Sequence, residues 1–334
     1  MQYTYLGKSN LKVSKICLGT MHFGSATSEE DAFHIMDDAL EMGINFFDTA
    51  NVYGRSGGRG RTEEVIGNWF QQGGSRREQV VLATKVFGSM PEDYAPNDAG
   101  GISAYKVHAH VADSLRRLQT DHIDLYQVHH IDRRITAEEY WGAFERLVDR
   151  GDVLYLGTSN FPGWGLVKHQ MQALQRGSMG LVSEQTMYSL LCRYPELEVF
   201  PAAQEMGIGI LAYMPLAGGL LSGKAHLTPA GSRTREVEEE YGIDLDENRQ
   251  LGDFADLCRE IGEAGHIVAI AWTLANPAIN SAIVGVRTRA HLNGLARASE
   301  LELDEASMQR LNEIFDINKG RRLRPGQAPE AYAW

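Results

Sequence analysis

The sequence predicts a closed (β/α)8 barrel, the TIM-barrel architecture, with its 334 residues read as one domain. Three observations lead there. About eight short apolar segments alternate with amphipathic helical ones, their starts separated mostly by roughly 30 to 40 residues, the length of a strand–helix repeat. The apolar segments are nearly continuous in character, as parallel strands covered on both faces must be. Eight such units left as an open sheet would carry unpaired edges, which closure removes.

The elements follow in order. Near the start, "QYTYL" and "LKVS" read as a β-hairpin across the barrel floor, outside the period, and "KICLGT" is the first barrel strand. "SEEDAFHIMDDALEMG" opens on a Ser28-x-x-Asp31 cap, carries Phe33, Met36 and Leu40 on one helical face and stops at Gly43. "INFFD" is the next strand. The unit then recurs as "RTEEVIGNWFQQGG" with "VVLATK" and as "SAYKVHAHVADSLRRL" with "IDLYQVH". "TAEEYWGAFERLVDRG" starts on a Thr136-x-x-Glu139 capping box and precedes "VLYLGTSN". "GWGLVKHQMQALQRG" leads to "GLVSEQ", and "PELEVFPAAQEMG" to "IGILAY". Residues 217–249, rich in Gly, Arg and Glu, interrupt the seventh unit as a long loop over one end of the barrel. Helical segments around "RQLGDFADLCREIGEAG" and "IVAIAWTLAN" lead to the last strand, "SAIVGV", and residues 303–334 form a C-terminal helix and tail.

Composition narrows the function classes. With 32 basic and 44 acidic residues the net charge is −12, which argues against nucleic acid or an anionic membrane as partner. The longest apolar run, Ile267 to Ala275, is far short of the roughly 20 residues that span a bilayer, and "MQYTYLGKSN" lacks the apolar centre of a signal peptide. Cys17, Cys192 and Cys258 are few and widely spaced, so they are read as buried thiols in a cytoplasmic protein without disulfides. Composition does not choose between a monomer and a homo-oligomer.

Barrel active sites lie at the carboxyl ends of the strands. Those ends are Thr20, Asp48, Lys85, His129, Ser159–Asn160, Gln185, Tyr213 and Gly285, and seven of the eight are polar. Buried polar groups need partners, so they are expected to face one another on one rim. Tyr53 follows Asp48 by five residues. A phenol has an ordinary pKa near 10 and donates its proton poorly at neutral pH. The Lys85 ammonium is expected to stabilise the phenolate and lower that value, while Asp48 pairs with Lys85 and His129 hydrogen-bonds the phenol or a substrate oxygen. The four make a general acid aimed at a carbonyl oxygen.

Taken together, "DTANVYG", the "TK" of "VVLATKV", "DLYQVHH", "GTSN", "SEQ" and "AYMPLAGGLLSGK" resemble the aldo-keto reductase family, over nearly the whole chain and in matching order. The likeness is closer to the bacterial branch near channel β-subunit relatives and deoxysugar ketoreductases than to the aldose reductases. It implies a catalytic tetrad of Asp48, Tyr53, Lys85 and His129, with Tyr53 protonating the carbonyl oxygen of an aldehyde or ketone and NADPH, rather than NADH, delivering hydride. It also implies a cofactor site. Gly19, Thr20 and Asp48 lie on one side, and Ser159, Asn160 and Gln185 meet the nicotinamide amide. Tyr213 stacks on the ring, and Met214, Pro215, Leu216, Gly218 and Lys224 continue along the pyrophosphate. Gly285, Arg287 and His291 hold the adenosine end, Arg287 as a 2′-phosphate contact. An acid–x–Asn pattern usual there in the family is replaced by Leu292, Asn293, Gly294 and Leu295. Met21, Phe87 and His130 are candidate substrate contacts, and Phe23, Met90 and Trp164 are read as either pocket or core.

Other chemistries fit less well. "GGLLSGKA" approaches a phosphate-binding loop, but Ala225 replaces the Ser or Thr that would hold magnesium. "YGRSGGRGRTEE" places Glu63 where a dinucleotide fingerprint needs its third glycine, and reads as a connection onto the helix near Thr62. No metal is expected: His129 and His130, adjacent on a strand, would point to opposite faces, and His108 and His110 are two apart on a helix. The rival functions are a cofactor-binding regulatory or redox-sensing subunit like the channel β-subunits, disfavoured by a start that runs straight into the barrel, and a barrel isomerase or aldolase using Lys85 as a Schiff base.

Overall fold

The computed structural model describes residues 1–90, 96–98, 100–223 and 249–317. Two short strands, β1 (Tyr3–Tyr5) and β2 (Lys12–Ser14), pair antiparallel as the expected hairpin. Then follow β3 (Ile16–Gly19), β4 (Phe46–Asp48), β5 (Val81–Val86), β6 (Ile123–Val128), β7 (Val153–Ser159), β8 (Leu181–Met187), β9 (Gly209–Tyr213) and β10 (Ile279–Gly285). All eight run parallel and close into a barrel, β10 bonding to both β3 and β9. The helices around it are α1 (Glu29–Glu41), α2 (Arg61–Phe70), α3 (Ala104–Leu118), α4 (Ala137–Arg150), α5 (Gly163–Gln175), α6 (Val199–Met206), α7 (Arg249–Ile261), α8 (Gly265–Ala275), α9 (Leu295–Glu300) and α10 (Glu305–Ile314).

Local chemistry starts the helices where the sequence places them. Ser28 Oγ accepts from Asp31 N at 3.1 Å ahead of α1, and Thr136 Oγ1 accepts from Glu139 N at 3.2 Å ahead of α4. The buried face of α1 differs from expectation. Ala32, Ile35, Met36 and Ala39 carry it, while Phe33 and Leu40 are only half-buried. Small alanines at helical spacing let α1 lie close against the barrel, which a search for large apolar side chains overlooks.

Alternation along the strands sorts the interior. Phe47 points outward and stacks on Trp69 of α2 at 5.7 Å between ring centroids. Phe46 points inward, packing with Cys17, Ala83, Leu125, Leu211 and Ile283, and Leu6 and Val13 of the hairpin segment join them as a floor plug. Two residues beyond Phe46, Ala83 and Leu125 on the same inner face come Asp48, Lys85 and Gln127. The barrel is thus apolar at the floor and polar one layer higher, at the carboxyl rim.

Phe23 is fully buried in the helix–strand core, which settles it as core rather than pocket. Trp164 lies at the surface with the Arg133 guanidinium 5.5 Å from its ring centroid. The expected long loop begins with a tight turn at Ala217–Ser222, and residues 224–248, Lys224 and Ala225 among them, fall outside the described part, as do residues 318–334 of the tail.

Candidate active site

Lys85 is the centre of the rim. Its ammonium, with no solvent exposure, donates to Asp48 Oδ2 at 2.6 Å, Thr49 O at 2.8 Å and the Tyr53 hydroxyl at 3.3 Å. An ammonium has three donors, and these three acceptors use them all. Burial alone would lower the Lys85 pKa, but Asp48 and then Tyr53 outweigh it and raise it, so the amine stays charged.

Asp48 is held from its other side as well. Its Oδ1 accepts from Gln185 Nε2 at 2.8 Å and from Gln127 Nε2 at 3.1 Å. Gln127 did not figure among the residues singled out from the sequence. The available signal was an amide inside the apolar strand "IDLYQV", two positions beyond inward-facing Leu125.

The phenol departs from expectation. Burial raises the Tyr53 pKa above its ordinary value, the Lys85 charge pulls it down, and Asp48 pushes it up again, leaving the net shift upward. Desolvation of a phenolate in this recess exceeds the gain from one ammonium already shared with a carboxylate. The group therefore stays protonated at neutral pH, with a cation beside it to meet charge as the proton leaves. His129 lies edge-on to the Tyr53 ring, centroids 5.9 Å apart. Burial, then the Lys85 charge, then His130 hold its imidazole far below the usual range, hence neutral.

A second correction concerns His129 and His130. The rings do not point to opposite faces; they stack, 5.2 Å between centroids at 10°. β6 ends at Val128, so strand alternation no longer governs the pair. His130 also stands edge-on to Phe87 at 5.4 Å, bringing two of the three candidate substrate contacts together, while Met21 is half-buried just beyond Thr20. Among the described residues no group of three His, Cys, Asp or Glu side chains is arranged to hold a metal.

The described residues assigned to the cofactor form a connected arc. Thr20 Oγ1 donates to Asp48 O at 2.9 Å. Asn160 Nδ2 donates to Ser159 Oγ at 3.0 Å and to His129 O at 3.2 Å, its backbone N donates to Gln185 O at 2.9 Å, and the Tyr213 hydroxyl donates to Asn160 Oδ1 at 2.9 Å. Asn160, Met214 and Ala217 have left-handed backbones, with φ of 58°, 56° and 47°, and Gly218 follows at 68°. Such conformations cost free energy and gather at ligand-holding segments. On β10, the strand between β9 and β3, the exposed Gly285 has open space where a Cβ would stand and pairs in register with Gly19. Thr27 Oγ1 donates to Arg287 O at 3.0 Å, and Arg287 N donates to His291 Nδ1 at 3.2 Å, so the segment after β10 is tied to the loop after β3. Pro215 is buried and Leu216 half-buried at the start of the turn after β9. This arc has the chemistry a dinucleotide needs: hydroxyl and amide side chains at one end, backbone without side-chain obstruction at Gly285, and Arg287 two residues further on.

A parallel barrel with a buried Lys–Asp–Tyr cluster on its carboxyl rim defines a class of oxidoreductases acting on carbonyl and alcohol groups, and comparison with known proteins agrees. The sequence profile of the Aldo/keto reductase family matches residues 15–316, and the chain belongs to that family, whose members use nicotinamide cofactors. It is 53% identical to the uncharacterized oxidoreductase YrpG of Bacillus subtilis (strain 168), over the full length of both chains. It is 31% identical to a probable voltage-gated potassium channel subunit beta of Arabidopsis thaliana, covering 90% of this chain and 92% of that one. With norsolorinic acid reductase B of Dothistroma septosporum it shares 30% identity, covering 96% of this chain and 83% of the relative. No helix among the described residues is long and apolar enough to cross a membrane.

Proposed function

We propose that the protein reduces an aldehyde or ketone to the alcohol with NADPH, and that Asp48, Tyr53, Lys85 and His129 are its catalytic residues. The observation that carries this is the use of all three Lys85 donors, one of them on the Tyr53 hydroxyl. When bound, NADPH supplies hydride to the carbonyl carbon. Tyr53 gives its proton to the carbonyl oxygen as charge develops there. Lys85 stabilises the phenolate left behind, and Asp48, gripped by Gln127 and Gln185, keeps the ammonium aimed. Neutral His129 orients the oxygen, and Ser159, Asn160 and Gln185 hold the nicotinamide amide beside Tyr213. Phe87, His130 and Met21 shape the space for the rest of the substrate. Reductase names among the relatives support the direction of reaction. NADPH consumption with aromatic aldehydes, α-diketones, pyridoxal and keto-sugars tests the proposal, with Tyr53→Phe as control. Turnover by Tyr53→Phe at the rate of the unmodified protein would refute it.

The similarity to channel subunits favours a second reading, a cofactor-binding redox-sensing subunit. Tight NADPH binding with no turnover of the whole panel, and a membrane protein co-purifying, would point that way. A Schiff-base role for Lys85 has less support, because a raised pKa leaves little neutral amine to attack a carbonyl.

A further inference from the structure

Behind the Tyr53 turn lies a second set of buried polar groups that takes no part in the reaction as described. Asn51, fully buried, places Nδ2 3.0 Å from His110 Nδ1 on α3. An amide nitrogen only donates, so the ring accepts there and carries its proton on Nε2. That Nε2 stands 2.9 Å from Asp98 Oδ1. One helical turn earlier, Lys106 Nζ stands 3.3 Å from the same oxygen and donates to Phe87 O at 2.6 Å. Asp98 Oδ2 accepts from Met90 N at 2.5 Å, and Asn51 N donates to Lys85 O at 3.2 Å.

These contacts join the turn that carries Tyr53, the backbone just after Lys85, and the segment of Phe87 and Met90. The turn and the segment also touch, since a Cβ on Gly88 would come within 2.7 Å of Val52. Lys106 and His110 are each 1% exposed and Asp98 7%, and apolar side chains of the same volume would hold such a site at least as firmly. Asn51 Oδ1 is buried without a hydrogen-bond partner among the described residues, an arrangement that calls for a reason beyond packing.

We propose that Asn51, His110, Asp98 and Lys106 form a positioning cluster that holds Tyr53 at a set distance from the wall made by Phe87 and Met90, and so decides where a substrate carbonyl meets the phenol. The inference rests on the proposed reduction. Its test compares His110→Leu, His110→Gln and Asn51→Ala in the full chain. Three readouts are used: steady-state kinetics on the carbonyl best reduced by the unmodified protein, NADPH affinity by fluorescence titration, and hydrogen exchange at the Asn51 and Met90 amides. His110→Leu should lower kcat by about tenfold to a hundredfold, the scale of a misplacement of roughly 1 Å. NADPH affinity should stay unchanged, and both amides should lose protection. His110→Gln, which keeps an acceptor and a donor, should recover most of kcat, and Asn51→Ala with His110→Leu should cost no more than the larger single effect. Unchanged kcat in a folded His110→Leu, or strictly additive effects, overturns the proposal. If His110→Leu does not fold, Asn51→Ala decides by the same kcat and affinity criteria. If the unmodified protein reduces no carbonyl, it is the reduction that fails, and unchanged protection at Asn51 and Met90 in His110→Leu or Asn51→Ala would still overturn the cluster.

Discussion

The Lys85 ammonium lies 3.3 Å from the Tyr53 hydroxyl, and the proposed proton transfer needs both groups. Burial keeps the phenol protonated, and the ammonium makes losing that proton tolerable. Tyr53→Phe removes the proposed acid and leaves the ring. Its kcat for carbonyl reduction should fall by about 10²- to 10⁴-fold, the usual contribution of a general acid. Its NADPH affinity should match the unmodified protein in a fluorescence titration, because the phenol hydroxyl is not part of the proposed cofactor arc.

Asp48→Asn leaves a buried cation without its counter-charge. Breaking such a pair costs about 3–5 kcal/mol, so the denaturant midpoint should drop well below that of the unmodified protein. The same change lets burial lower the Lys85 pKa, so activity surviving in the folded fraction should decline at a lower pH than in the unmodified protein. A midpoint within error of the unmodified protein would show that the pair carries little of the fold.

Glu184 neighbours Gln185 on β8 but faces outward, fully buried, where Oε1 accepts from Phe161 N at 3.0 Å and Oε2 from Thr158 Oγ1 at 2.6 Å. Burial raises its pKa to about 8 against hydrogen bonds that lower it. The folded chain keeps this proton after the unfolded chain has released it, so the contribution is fully present below the ordinary carboxylate range and is lost as pH rises through about 8. Glu184→Gln removes that loss, since the amide oxygen still accepts from Phe161 N. The variant should gain stability over the unmodified protein by on the order of a few kcal/mol at pH 9 and gain nothing at pH 4. Melting curves at the two pH values check it, and an equal gap at both would contradict the assignment.

Arg287 is the cation proposed for the 2′-phosphate. Arg287→Ala should raise KM for NADPH by about tenfold or more while leaving that for NADH within about twofold, since a charge-assisted bond exists with only one of them. Steady-state kinetics with both cofactors decides, and parallel changes would place the phosphate elsewhere.

The sequence by itself determined the repeat, the hairpin, the helix caps at Ser28 and Thr136, and the polar strand ends. Each is written in local spacing: apolar runs, an oxygen one position ahead of a helix, an acid or amine closing a strand. Family motifs added roles for those residues. What only the tertiary structure decided was the balance of forces at the rim and behind it. The direction of the Tyr53 shift depends on how much water the closed barrel removes against one shared charge, and no local pattern records that sum. The stacking of His129 on His130 depends on β6 ending one residue earlier. Gln127 joins Asp48, and Asn51 meets His110, only because strands and a helix distant in the chain are brought together at hydrogen-bonding distance, a long-range fact that spacing cannot hold.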